Sequence, residues 1–138
     1  MNFGNSLGNI PTGTNYGNIG NLGACVDISI INYSGNWYGY ITNTSSNSIT
    51  RLDFGNNLLS TPTATNLGNP GGLGSPRAIE VFVECGQIKG FITNETSNTI
   101  LSLNFPNGPT GSIITNSISG ISNLALPHSI RRFRVGDT

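Results

Sequence analysis

Charge is scarce in this chain of 138 residues, whose six basic and six acidic side chains cancel. So small a store of Lys and Arg excludes a broad electrostatic footprint for nucleic acid or an anionic membrane surface. Catalytic raw material is equally thin. His128 is the single histidine, and Ser129 adjoins it, but no Gly-x-Ser-x-Gly elbow is present to build a hydrolase triad. Cys25 and Cys85 lack the spacing of a metal site, and no second histidine exists to join them. Acids alternating at calcium-loop spacing are also missing. No metal and no cofactor is therefore expected. No apolar run reaches the length of a membrane-spanning helix, and the N-terminus has neither a basic region nor a continuous apolar segment. The covered chain is expected to be soluble, with no membrane span and any export signal removed or upstream. Little Lys with much Asn and Thr suits an extracellular or cell-surface protein. Helical periodicity and helix caps are absent as well, which leaves an all-β chain.

What is present is a repeat. Gly39-Tyr-Ile-Thr-Asn-Thr-Ser-Ser-Asn47 returns as Gly90-Phe-Ile-Thr-Asn-Glu-Thr-Ser-Asn98, 51 residues later. Carried on without a gap, that shift pairs residues 3–53 with 54–104 and gives 23 identities in 51 positions. The chain divides into a partial unit over 1–21, whole units over 22–72 and 73–123, and a partial unit over 124–138. Within a whole unit, alternation and turn residues predict four strands. In the second unit these are Ala78 to Glu84, Ile88 to Asn94, Thr99 to Phe105 and Ser112 to Asn116. The third unit is expected to contribute one strand after Leu124, with Arg132 and Arg134 replacing the apolar Val81 and Val83 positions. Those arginines predict either a charged edge or side chains facing a central channel. A period near 50 with four strands per unit points to a β-propeller.

Cys25 and Cys85 occupy non-equivalent repeat positions near opposite ends of neighbouring strands, so no disulfide is expected and two buried or incidental thiols are. The Gly68–Gly74 stretch superficially resembles a phosphate-cradling loop, but it precedes a strand and lacks the lysine. Its glycines fit a tight connection that needs positive φ. Trp37, Tyr38 and Tyr40 suit sugar stacking or blade packing. Ile88, Lys89 and Phe91 at the equivalent positions favour packing.

Leu73-Gly-Ser-Pro-Arg-Ala-Ile-Glu-Val, with Cys85-Gly86, Gly90-Phe-Ile-Thr-Asn and Ser97-Asn98-Thr99-Ile100, resembles the NHL-type propeller repeat. The chain is also similar to Asn- and Thr-rich propeller repeats of secreted bacterial proteins. Ala78 and Asp27 stand where that family often has glycine, and the aspartate that usually ends its first strand is missing. The resemblance implies units packed face to face about an axis, first strands innermost, with the 43–47 and 94–98 loops on the face used for binding. Closure then requires a homo-oligomer or a longer array.

Arg77 and His128 fall on equivalent positions at the start of an inner strand and are candidate ligand-binding residues near the channel mouth. Asn43, Asn47, Asn94 and Asn98 are candidates through a ring of amides, although asparagines in such loops also cap turns. The function expected is a non-enzymatic, secreted binding or scaffold module that recognises protein or glycan. The alternative is a self-assembling structural protein that closes into a homo-oligomeric ring or filament.

Overall fold

The structure, a computed structural model, describes residues 6, 8–10, 12–118 and 120–132. It is all-β, and no helix occurs among the described residues. Strands β1 (Cys25–Tyr33), β2 (Asn36–Asn43), β3 (Ser48–Gly55) and β4 (Thr63–Asn66) form one antiparallel sheet in sequence order. Strands β5 (Pro76–Glu84), β6 (Gln87–Asn94), β7 (Thr99–Asn104) and β8 (Ile114–Ser117) form a second sheet of the same order. Registers correspond after the 51-residue shift: Ile28 faces Ile41 and Ile79 faces Ile92. Among the described residues these two sheets form no closed ring.

Local chemistry accounts for the turns. Ser34-Gly35 and Cys85-Gly86 all take positive φ, the requirement of a two-residue type I′ hairpin. Asn47 and Asn98 end their loops in the left-handed region, at φ of 48° and 51°, which Asn tolerates better than most residues. The outermost strands β4 and β8 have only four residues each, and short edges discourage pairing with other chains.

Both first strands carry a bulge at the same place, between Cys25 and Ile28 and between Pro76 and Ile79. Beyond it, strict alternation sets two faces. Asp27, Ser29 and Ile31 of β1 point toward the second sheet, while Val26, Ile28 and Ile30 point away from it. The core lies between the sheets. Ile31, Tyr38, Tyr40 and Ile49 on the first meet Ile79, Val81, Ile92, Leu101, Leu103 and Phe105 on the second. Tyr40 is fully buried, its ring edge-on to Phe105 at 5.1 Å and its hydroxyl donating to the Pro109 carbonyl at 3.3 Å. Burial pushes its phenol pKa well above the ordinary value. Tyr40 and Tyr38 are thus packing residues rather than an exposed stacking platform.

Polar side chains bind the sheets as well. Ile79 N–H donates to Asp27 Oδ2 at 3.1 Å, and Val81 N–H donates to Ser29 Oγ at 2.9 Å. Thr42 and Thr44 hydroxyls donate to the Arg77 and Pro76 carbonyls, both at 2.7 Å. The partners ascend together along β1 and β5, so the two strands run in the same direction, with side chains supplying what a backbone ladder would.

One expectation is corrected here. Residues 120–132 pack near β5 but form no strand, because nothing pairs with them; Phe133 and Arg134 lie outside the described residues. The Arg132 guanidinium sits over the Phe82 ring, 4.4 Å from the centroid. Cys25 and Cys85 are free and exposed, the incidental rather than the buried alternative, since one opens β1 and the other sits in a hairpin turn.

Gly39 and Gly90 occupy the same repeat position but different surroundings. A Cβ on Gly90 would lie 2.6 Å from the Glu80 carbonyl oxygen and 3.3 Å from Val81 Cα. On Gly39 its nearest neighbours would be side chains at 3.4 and 3.5 Å, ordinary contacts. Gly90→Ala is expected to cost about 2 kcal/mol through forced backbone movement. Gly39→Ala is expected to be neutral or slightly stabilising, because alanine reduces unfolded-state entropy. Urea titration of both variants checks the contrast, and equal losses would contradict it.

Candidate functional site

At the end of the sheets where the 43–47 and 94–98 loops emerge, each loop is built around a buried asparagine. Asn43 Oδ1 accepts from Gly23 N–H at 3.1 Å, and its amide donates to Ser48 Oγ and Thr50 Oγ1. Asn94 Oδ1 accepts from Gly74 N–H at 3.2 Å, and its amide donates to the Gly72 carbonyl and Thr99 Oγ1. Both residues are fully buried. Each ties the end of its second strand to the connection entering its own unit.

Asn47 and Asn98 work between units. Ser75 N–H donates to Asn47 Oδ1, and Leu126 N–H donates to Asn98 Oδ1, both at 2.7 Å and both across 28 residues of sequence. All four asparagine side chains thus hold backbone, with Asn47 and Asn98 at the exposed tips of their loops. The connection between the sheets is ordered in the same way. Asn69 Oδ1 accepts from Gly71 and Leu73 N–H, while Gly68, Gly71 and Gly72 take positive φ, so the glycine-rich stretch is a shaped turn.

Arg77 and His128 do converge, and the residue that gathers them is Glu95. Arg77 Nε donates to Glu95 Oε2, and His128 Nε2 lies 3.7 Å from Glu95 Oε1. The β5 bulge places Arg77 opposite the start of the 95–98 loop. The hydrogen bond from Arg77 holds the Glu95 carboxyl below the usual glutamate range and raises the guanidinium in turn. His128 remains half open to solvent, and the next two loop residues, Thr96 and Ser97, are exposed, their hydroxyls bonded to Ser75 Oγ and Thr99 Oγ1. His128 marks no strand start, since its segment is irregular.

Sequence reasoning passed over Glu95. The signal was present as a double departure from the repeat: Val26 becomes Arg77 and Thr44 becomes Glu95, opposite charges arriving together at adjoining positions of one unit. Asp27 was missed for a different reason. It accepts from Ile79 N–H and lies 3.3 Å from Arg131 Nη1, a residue 104 positions away.

Two other acidic residues, Asp53 and Glu84, have structural partners. Asp53 Oδ1 accepts from Gly55 N–H at 3.0 Å, and Glu84 pairs with Lys89 at 3.4 Å. Among the described residues no group of three or more His, Cys, Asp or Glu could hold a metal ion.

The fold defines an all-β protein of two stacked, four-stranded antiparallel sheets. Compared with protein-family models, curated proteins and solved structures, the chain matches none.

Proposed function

We propose that this chain is an NHL-like β-propeller repeat module, serving as a non-enzymatic, secreted scaffold that binds protein or glycan on its loop face. The propeller reading draws on the 51-residue period, the parallel course of β1 and β5, and the reach of Arg131 back to Asp27. That last contact brings the beginning of a third unit against the first, as curvature about an axis requires. The scarcity of lysine supports secretion, and the partnering of Asp27, Asp53 and Glu84 supports a non-catalytic role.

The observation that carries the binding assignment is the meeting of Arg77, Glu95 and His128 at the junction of the second and third units. A carboxylate flanked by a guanidinium and an imidazole, with threonine and serine hydroxyls alongside, matches the donors and acceptors of a sugar ring. The purified chain on a glycan array should give a signal that Arg77→Ala and His128→Ala each reduce about tenfold, the loss of one good hydrogen bond to a charged group. A signal that survives both substitutions, or no signal, removes the glycan reading.

One observation favours the second reading, a self-assembling structural protein. Ile28 and Ile30 are 46 % and 44 % exposed, whereas their equivalents Ile79 and Val81 are 1 % and 3 % exposed.

A further inference from the structure

We infer that the face of the first sheet carrying Val26, Ile28 and Ile30 docks a second copy of this chain, which presents the opposite face of its second sheet. This rests on the self-assembly reading and names its surfaces and direction. The contact is heterologous, head to tail, and extends the stack that the molecule already contains.

The argument begins with the alternation in β1. Its polar positions turn inward to serve the second sheet, so Val26, Ile28 and Ile30 must face the other way, and all three are exposed. Isolated exposed aliphatics are ordinary, but a row of three on one strand is not. The row is flanked by two depressions. One of about 400 Å³ lies between Tyr16, Ile30, Phe54, Leu58 and Leu59. The other, of about 300 Å³, lies between Leu22, Val26, Ile28 and Ile41. Leu59 and Tyr16 are themselves exposed at its border.

What covers this kind of face is shown inside the chain. Ile79 and Val81 are covered by Ile31, Tyr38, Tyr40 and Ile49 of the first sheet. The second sheet offers Phe82, Lys89, Phe91 and Ile100 at those four positions, and Phe91 and Ile100 are only partly covered. Phe91 packs on Phe82 at 5.9 Å and borders a hollow of about 280 Å³ with Glu80, Ile130, Arg131 and Arg132, so residues 130–132 cover the Phe82 end of this face and leave Phe91 and Ile100 partly open. The molecule therefore carries one uncovered face of the type that is buried internally and, beside the strip that residues 130–132 cover, a partly open surface at Phe91 and Ile100 of the type that does the burying. Zero net charge adds no repulsion between copies.

Light scattering coupled to size exclusion, over a concentration series, tests this. The wild-type chain should show a mass that rises above 14.5 kDa with concentration. Ile28→Lys and Ile30→Lys on one face, and Phe91→Lys on the other, should each weaken association about 30-fold or more by burying an unpaired ammonium. An equimolar mixture of Ile28→Lys and Phe91→Lys chains should form dimers and nothing larger, because each variant keeps one intact face. Should thermal melting show Phe91→Lys unfolded, Ile100→Lys takes its place; Ile28 is exposed, so its variant should melt like the wild type. A wild-type chain that stays monomeric throughout overturns this inference and the self-assembly reading together. Assembly indifferent to Ile28→Lys and Ile30→Lys, or a mixture that forms no dimers, overturns only the surfaces and direction named here.

Discussion

Ile79→Ala should lower stability by about 3 kcal/mol, while Ile28→Ala, the same change one repeat earlier, should cost less than about 1 kcal/mol. Ile79 is 1 % exposed, and its side chain fills the space between the sheets against the Ile31 and Tyr40 cluster. Removing three carbons there forfeits the transfer energy of the buried surface and leaves a cavity that two hydrogen-bonded sheets cannot collapse to fill. Ile28 has the same strand, the same cross-strand neighbour type and the same place in the pleat. It lacks a sheet on its outer side, so water replaces the missing methyl groups at little cost. Urea unfolding of dilute protein at constant m-value reads both numbers, and dilution matters because association through the exposed face would add stability to the wild type. Equal losses at the two positions would refute the description of one covered and one uncovered face.

Asn94→Ala should also be costly, at about 3 kcal/mol. The amide is buried and serves three partners at once, accepting from Gly74 N–H and donating to the Gly72 carbonyl and Thr99 Oγ1. Alanine leaves the half-buried Gly74 N–H without its acceptor, unties the Gly72 carbonyl and empties the fully buried space that the amide filled. Asn94→Asp should be no better, because a carboxylate has no proton for the Gly72 carbonyl and brings a buried charge. Asn98→Ala gives the contrast. Its Oδ1 holds only Leu126 N–H in the pairs seen, at an exposed position where solvent can substitute, so about 0.5–1 kcal/mol is expected. Thermal melting ranks the three variants, and a large loss at Asn98 with none at Asn94 would invert the roles assigned to these side chains.

The first prediction concerns residues that the repeat makes formally equivalent, and it shows how far periodicity carries. Strand order, hairpin chemistry at Ser34-Gly35 and Cys85-Gly86, and the turn-capping tendency of Asn43 and Asn94 were legible because each depends on neighbours within a unit. Arg77 and His128 were legible as equivalents of one another. Their meeting at Glu95 was not, because it depends on how the third unit lies against the second, and no local rule sets that distance. The contact of Arg132 with the Phe82 ring was hidden for the same reason, since its repeat position says nothing of which ring lies within reach. The irregular course of 120–132 followed from a missing neighbour, since a strand without a partner leaves its backbone groups to water.

By itself the sequence determined the repeating unit, its strands and its turns, since alternation, positive-φ residues and short-range capping act within some tens of residues. Tertiary structure alone decided which of two matching isoleucines is buried, which charges meet, and which sheet face remains open. Burial and electrostatics depend on what stands on the far side of a residue, and a period describes only the residue's own place in its unit.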